Sequence, residues 1–307
     1  MIAKALTLAG ALLLAGALEV QAEETYIAIG EDLRGGKERL INKLREELTN
    51  NTGYKLPFIS NTEAAALNTD EDTVITLGEK GLRIVMSGEG KSKIVAAFIS
   101  SESFNRVLAD FPQSSRSLTA VYSDPDPMKQ LALAVALYGE NVVVGFLTSD
   151  LEGKLSKSYE SAAKRLGIKT HFQVINDERS AKGVFDSLGD TNVIVLAKDK
   201  AMLEEVGLEK FLYLAYDINN IGVIGYSSGL VKNGAIGTTY ASIEDTAQSI
   251  SEIISTKKTG DKIPEPKFTR SFSIALNKYV MRSLLIPEKD EEKVEKEVRN
   301  MTDGGVE

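Results

Sequence analysis

The chain contains no cysteine, no tryptophan and a single histidine, and each shortage excludes a class of structure or chemistry. Without cysteine the protein can form no disulfide bond and no thiolate metal site, and no acyl group can anchor it through a cysteine. One histidine cannot supply the three or four ligands of a zinc site. The absence of tryptophan disfavours a sugar site built on indole stacking. We therefore expect no metal and no cofactor.

Residues 1–22 have the pattern of a secretory signal peptide. Lys4 precedes an apolar run, and the small residues Val20 and Ala22 stand where a signal peptidase reads the chain. The apolar run is too short and wrongly flanked for a membrane anchor. Because no cysteine can be lipidated, we expect the signal to be cleaved after Ala22 and the mature protein to be soluble in a bacterial periplasm. Export also excludes ATP and NADH as substrates.

The remaining composition is that of a globular, acidic protein. Hydrophobic residues make up 43% of the 307 residues and charged residues 26%, which is ordinary for a packed domain. The net charge of -8 argues against nucleic acid or an anionic membrane as a partner. Residues 288–307 hold eight acidic and four basic side chains, so we predict a charged C-terminal tail to which we assign no function.

Short apolar runs alternate with helical patterns along most of the chain. The runs show little polar alternation, which is typical of strands buried on both faces of a parallel sheet. The predicted strands are 25–30, 55–59, 73–78, 93–99, 118–123, 141–149, 170–175, 193–197, 223–227 and, as an edge strand, 267–277. The pattern restarts at Asp124, and Asp126 before Pro127 predicts the N-cap of a helix.

The restart predicts an α/β fold of two Rossmann-like lobes, each with a parallel sheet, joined by a hinge. The first lobe would comprise residues 23–120 plus 238–263, and the second lobe would comprise residues 121–237 plus 264–287. The pieces that follow the second block are too few for a third domain. The chain would therefore cross between the lobes about three times.

Small, hydroxylic or charged residues stand at the carboxyl ends of the predicted strands, where open parallel sheets bind ligands. The first lobe supplies Gly78, Glu79, Ser100, Ser101 and Asp124, and the second supplies Thr148, Ser149, Asp199, Tyr226, Ser227 and Ser228. Each of these residues could instead simply cap a helix. Together, facing across a cleft, they predict a polar small-molecule site in which Glu79 and Asp199 would hold a cationic group.

The segment Gly225–Gly229, GYSSG, matches the nucleophile elbow of serine hydrolases and follows a predicted strand. That function would require a histidine base downstream of Ser227, but the chain's one histidine, His171, lies upstream. A secreted serine hydrolase stays as an alternative, and we expect the protein not to be an enzyme.

Four stretches resemble one family, the ABC-transporter substrate-binding proteins of the type I periplasmic-binding-protein fold, in the group related to tryptophan-binding proteins. They are VIGYSSGLVKNGAIGTTYASIEDTAQSISEII (223–254), ITLGEKGLRIV (75–85), LTAVYSDPDPMKQLALAVAL (118–137) and FSIALNKYVMRSLLIP (272–287). The resemblance implies a monomer that captures a small polar solute by hinge closure and presents it to a membrane permease. A sensory binding protein that signals to a receptor or sensor kinase would use the same fold and is the alternative.

The chain departs from that family at one position of the expected site. The residue after Gly78 is often Thr or Ser in the family, whereas this chain has Glu79. An acidic side chain there would oppose a ligand carboxylate. We therefore expect cationic or neutral polar solutes to bind better than dicarboxylates.

Overall fold

The computed structural model describes residues 24–30, 35–175, 183, 185–199, 204, 207–255 and 263–303. The predicted signal peptide, residues 1–22, lies outside these ranges. None of the helices in the described part of the chain is both long and apolar enough to cross a membrane.

The first lobe is a parallel sheet covered by helices on both faces. Its sheet has the order β2-β1-β3-β4-β5, and a short strand β11 from later in the chain extends it beyond β5. Alternate residues of the strands, such as Val74 and Ile75, are buried against helices on opposite faces. Its elements are β1 (Thr25–Ile29), α1 (Gly36–Thr52), β2 (Phe58–Ser60), α2 (Asn61–Ala66), β3 (Thr73–Leu77), α3 (Gly78–Met86), β4 (Lys93–Ile99), α4 (Ser101–Asp110) and β5 (Leu118–Tyr122).

The second lobe repeats this plan in the order β7-β6-β8-β9-β10, and strand β12 completes the sheet beside β10. All of its strand pairs are parallel except β10 with β12. Its elements are α5 (Pro127–Tyr138), β6 (Val143–Thr148), α6 (Lys154–Leu166), β7 (Lys169–Val174), β8 (Val193–Leu196), α7 (Leu208–Tyr213), a π-helical turn (Leu214–Ile218), β9 (Gly222–Ile224), α8 (Ser228–Lys232) and β10 (Gly237–Tyr240).

The last third of the chain returns to the first lobe and then back to the second. Helix α9 (Ile243–Ser255) packs on α1, and β11 (Lys267–Phe268) pairs with β5. Strand β12 (Ser273–Leu276), α10 (Lys278–Ser283) and α11 (Glu291–Asp303) belong to the second lobe. Three connections therefore join the lobes, at residues 123–126, 241–242 and 269–272.

These observations confirm the predicted α/β architecture of two parallel-sheet lobes joined by a hinge, and the chain crosses three times as predicted. The first connection contains the predicted cap. The Asp126 carboxylate accepts a hydrogen bond from the Met128 N–H at 2.9 Å, and Pro127 begins α5. The connection at residues 123–126 therefore lies between the end of β5 and the capped start of α5.

The predicted segment boundaries differ from the structure at two of the crossings. Strand β10 pairs with β9 and β12 in the second sheet, whereas residues 238–263 were expected in the first lobe. The expected edge strand 267–277 is two strands, because the chain passes from one lobe to the other at 269–272. Its first part, β11, pairs with β5, so it lies in the first sheet rather than in the second lobe.

The acidic C-terminal segment is not a solvated tail over its described length. Helix α11 buries Val294 and Val298 completely against the second lobe and packs on α5. The Arg299 guanidinium lies 4.4 Å from the centroid of the Phe272 ring and donates a hydrogen bond to the Phe272 carbonyl at 3.0 Å. The acidic side chains lie on the outward face of α11. The composition of the segment therefore gave no indication of the two buried valines.

Candidate functional site

A cavity of about 960 Å³ opens where the carboxyl ends of the two sheets face each other. Most of its wall comes from the first lobe, at the ends of β1, β2, β3 and β4 and the starts of α1, α2 and α3. The second lobe contributes the three residues Lys198, Tyr226 and Ser227. This is the position at which the carboxyl-end rule for open α/β sheets predicts a ligand.

A smaller cavity of about 410 Å³ continues the cleft toward α4. The two cavities share three wall residues, Phe98 of the first lobe and Lys198 and Tyr226 of the second. Of the predicted site residues, Glu79 and Ser100 line this second cavity. A solute lying across the shared wall would contact both lobes at once.

The backbone at Phe98 adopts an uncommon conformation beside the cleft. Its φ angle is +53°, and the pairing of β4 with β5 shifts register between Ala96 and Ile99. Positive φ is rare for a large side chain and is maintained only where the surroundings enforce it. Gly78, with φ +74°, opens α3 on the adjacent strand end. Phe98 lines both cavities from this irregular part of β4.

Glu79 forms ion pairs with two arginines of its own lobe. Its carboxylate accepts hydrogen bonds from Arg83 at 3.0 Å and from Arg106 at 3.2 Å. Burial favours the neutral acid, but hydrogen bonds from Arg106, Ser103 and Arg83 outweigh it and lower the pKa of Glu79 to about 2. The negative charge that was expected to oppose a ligand carboxylate is therefore compensated inside the first lobe.

Ser101 and Asp124 form a closed pair at the ends of β4 and β5. The Asp124 carboxylate accepts from the Ser101 N–H at 2.8 Å and from the Ser101 hydroxyl at 2.5 Å. Burial raises the pKa of Asp124, although both hydrogen bonds favour the ionised form. These hydrogen bonds join the start of α4 to the connection at residues 123–126. The polar groups of Ser101 and Asp124 therefore bond to each other.

The second lobe holds a similar pair at the ends of β6 and β8. Asp199 accepts from the Ser149 N–H at 2.6 Å, from the Ser149 hydroxyl at 2.9 Å and from the Thr148 hydroxyl at 3.0 Å. Only 3% of Asp199 is exposed. Asp199, Ser149 and Thr148 therefore link neighbouring strand ends, and none of them lines either cavity of the cleft.

The GYSSG segment forms the turn between β9 and α8. Ser227 is the N-cap of α8, and its hydroxyl accepts a long hydrogen bond of 3.4 Å from the Leu230 N–H. Ser228 is the first residue of this helix. Burial raises the pKa of the half-buried Tyr226. Ser227 and Tyr226 line the large cavity, so this turn is the second lobe's main contribution to the cleft.

The structure thus brings part of the predicted set together. Five of the predicted residues line the two cavities, namely Gly78, Glu79, Ser100, Tyr226 and Ser227. Lys198 and Asn61 are among the wall residues that were not predicted. Lys198 precedes Asp199, and successive side chains of an extended chain point to opposite sides. The sequence could therefore have indicated Lys198 as the residue that faces the cleft if Asp199 does not. Asn61 follows the short strand β2, and its polar side chain at a strand end was a weaker signal of the same kind.

No protein-family model matches the chain, and no curated protein matches it either. Several solved structures are similar to this chain. An ABC domain from Streptococcus pneumoniae in complex with L-Trp is 14% identical, with 89% of this chain and 98% of that chain covered and a TM-score of 0.54. A ligand-free, open substrate-binding protein with adhesive properties from Clostridium difficile is 15% identical, with coverages of 88% and 97% and a TM-score of 0.62.

A conserved domain protein from Vibrio cholerae is similar to the same extent, at 14% identity, coverages of 89% and 97% and a TM-score of 0.53. At such identities the similarity is evidence of the fold alone. The two six-stranded sheets and the three connections are those of the type I periplasmic-binding-protein fold. The predicted resemblance is confirmed at this level.

Proposed function

We propose that the protein is a periplasmic solute-binding protein that captures a small solute between its lobes and delivers it to the permease of an ABC transporter. The observation that carries the proposal is the cavity of about 960 Å³, whose walls come from strand ends of both lobes. The similar structures give support of the same kind, since one contains bound L-Trp and another is described as a substrate-binding protein.

Hinge closure is the mechanism that this arrangement supports. Three short connections join the lobes, so one lobe can rotate against the other without disturbing either sheet. A solute that contacts Gly78 in the first lobe and Tyr226 and Ser227 in the second gains contacts only when the lobes approach. Binding then favours the closed state by the difference in affinity between the two states.

Export to the periplasm is part of the proposal and rests on the sequence of residues 1–22. The apolar run and the small residues before Glu23 fit cleavage by a signal peptidase. N-terminal sequencing of the protein recovered from the periplasm should begin at Glu23. A retained N-terminus that pellets with membranes would contradict this part of the proposal.

The serine hydrolase alternative lacks a base near its nucleophile. His171 lies on β7, an edge strand of the second sheet, and its Nε2 contacts Asp190 Oδ1 at 2.9 Å. Ser227 follows β9, with β8 and β6 between β9 and β7. Because the chain has one histidine, no other imidazole can activate Ser227. The geometry therefore favours binding without turnover.

A thermal-shift screen of the mature protein tests the proposal. The library should contain amino acids, organic acids, nucleosides and sugars. At one hundred times the dissociation constant a solute stabilises the folded protein by about 2.7 kcal/mol, enough to raise the melting temperature by several degrees. We expect at least one hit that is recovered unchanged after incubation. A screen without a hit, or a hit that is hydrolysed, would contradict the proposal.

A transport role makes a second, inexpensive test possible. Genes for a permease and an ATPase beside this gene, and loss of uptake of the bound solute when the gene is deleted, are expected for a transporter component. A neighbouring sensor kinase with uptake unchanged would instead favour the sensory alternative.

A further inference from the structure

The Asn61 side chain is a buried polar group without a partner in the wall of the large cavity. Only 8% of Asn61 is exposed, and its Oδ1 has no hydrogen-bond partner. Its Nδ2 donates no hydrogen bond within the described part of the chain. An amide donor without an acceptor costs free energy, so the Nδ2 group at this cavity wall points to an acceptor that arrives from outside.

Asn61 packs against two glycines, and the contact with Gly81 is the tighter one. A Cβ atom at Gly81 would stand 3.3 Å from Asn61 Oδ1, and one at Gly30 would stand 3.7 Å from Asn61 Nδ2. Both glycines also line the cavity. Asn61 is therefore held between the end of β1 and the first turns of α3, next to the space that a solute would fill.

The two longest helices that begin at this wall have no side-chain cap. Helix α1 starts after Gly35 and helix α3 after Leu77, and neither of these residues offers a side-chain acceptor to the first turn. By contrast, Ser60, Ser100 and Ser227 cap the other helices of the cleft. Neither helix is capped by the side chain of its N-cap residue, and a helix N-terminus favours an anion.

Cationic side chains complete the wall. Lys37 of the first lobe and Lys198 of the second line the cavity, although the chain as a whole carries a net charge of -8. Of the wall residues that the structure describes, none is acidic. A cavity whose charged wall residues are all cationic concentrates anions.

The rest of the wall is apolar. Leu40, Ile84 and Phe98 face the cavity from the first lobe, and the ring of Tyr226 faces it from the second. A wholly polar solute such as inorganic phosphate would leave these side chains unused. The wall fits a solute with an apolar body and one anionic end.

We propose that the solute is an organic oxyanion, whose carboxylate or phosphate accepts a hydrogen bond from Asn61 Nδ2 and lies at the start of α3, while its apolar body lies between Phe98 and Tyr226. Lys198 then closes on the oxyanion from the second lobe. This inference rests on the proposed solute-binding function and names the class of solute. It reverses the preference for cationic solutes that Glu79 suggested, because Arg83 and Arg106 hold that carboxylate.

Calorimetric titration of the mature protein with matched probes tests the solute class. Each apolar body, phenyl, indolyl, cyclohexyl or butyl, is presented with four end groups: acetate, phosphate ester, ethylammonium and ethanol. On any body that binds, we expect the carboxylate or the phosphate to bind at least tenfold more tightly than the alcohol and the ammonium. Whichever of the two binds more tightly shows whether the natural solute is a carboxylate or a phosphate ester. Binding should weaken as ionic strength rises.

Two substitutions test the assigned residues with the tightest oxyanion of that set. Asn61→Leu removes the amide at similar volume and should weaken binding at least tenfold without lowering the melting temperature of the unliganded protein. Asn61→Asp should abolish binding, whereas the same change at the exposed Asn50 should have no effect. Lys198→Gln should weaken binding at least fivefold, and Lys55→Gln serves as its exposed control.

The outcomes separate the two proposals. A neutral or cationic solute that binds as tightly as its matched oxyanion would overturn the oxyanion assignment and leave the solute-binding function standing. Unchanged affinity in both Asn61→Leu and Lys198→Gln would overturn the placement of the anionic end. If no solute of any class binds, both proposals fail.

Discussion

Ser149 donates both its backbone N–H and its hydroxyl to the carboxylate of Asp199, at 2.6 and 2.9 Å, across the neighbouring strand ends of β6 and β8. Ser101 makes the corresponding pair of hydrogen bonds to Asp124 in the first lobe. In both lobes a buried carboxylate thus ties together two strand ends beneath the cleft. Neither carboxylate lines the two cavities of the cleft, so we expect them to position the walls of the site.

Asp199→Ala should therefore destabilise the protein. The substitution leaves the N–H and hydroxyl of the partly buried Ser149 and the hydroxyl of the buried Thr148 without this acceptor, which costs about 2–3 kcal/mol of unfolding free energy. Chemical denaturation of the mature protein measures this loss. Asp70→Ala, at an exposed position, should be close to neutral. A stable Asp199→Ala protein with impaired solute binding would show instead that Asp199 contacts the solute.

Ser227→Ala should have the opposite profile. The hydroxyl faces the cavity and makes one long hydrogen bond to the Leu230 N–H, so its loss should cost no more than about 1 kcal/mol of stability. Affinity for the bound solute should fall several-fold in calorimetric titration. Unchanged affinity would remove Ser227 from the site.

Glu79 should make stability dependent on pH in the acid range. The carboxyl has a pKa of about 2 in the folded protein against an ordinary value of 4.5. A lowered folded-state pKa contributes stability that is fully present above about pH 4.5 and is lost as the pH falls toward 2. Glu79→Gln should therefore melt below wild type at pH 7, and the difference should disappear near pH 2. A difference that persists near pH 2 would argue against the ion pairs with Arg83 and Arg106.

Lys129→Met should loosen the third connection between the lobes. The buried Lys129 Nζ donates to the carbonyls of Thr269 at 2.6 Å and Arg270 at 2.8 Å, and it lies 4.9 Å from the Phe272 ring centroid. Methionine keeps the packing but leaves both carbonyls without that donor. Hydrogen exchange should become faster in peptides that cover residues 269–272. Lys164→Met, on an exposed face of α6, is the control, and equal exchange in the two variants would contradict the assignment.

Much of the fold could be predicted because buried parallel strands leave a strong signal. The runs at 73–78 and 93–99 correspond to β3 and β4 almost residue for residue. Strand β10 was not predicted, because GTTY is short and polar and its threonines are satisfied by contacts within the lobe, such as the 2.6 Å bond from Thr238 to the Gly225 carbonyl. The split of 267–277 depends on which sheet each half joins, which a local pattern does not encode.

The site could be predicted only as a region. Sequence marks strand ends, but whether a polar side chain enters the cleft or turns to a neighbouring strand depends on tertiary packing. Asp199 turns inward to Ser149, whereas the adjacent Lys198 lines the cavity. Asn61 packs against Gly30 and Gly81, which are 31 and 20 residues away in the sequence, and a Cβ at Gly81 would crowd it.

Closure of the lobes around a solute is most directly measured as a distance between them. Because the chain has no cysteine, Asn42→Cys on α1 and Lys232→Cys on α8 can carry a unique pair of spin labels at exposed positions. Pulsed electron paramagnetic resonance should show a shorter and narrower distance distribution when the tightest-binding solute saturates the protein, and Asn61→Leu should restore the distribution of the unliganded protein at the same solute concentration. A distribution that does not change on saturation would contradict capture by hinge closure.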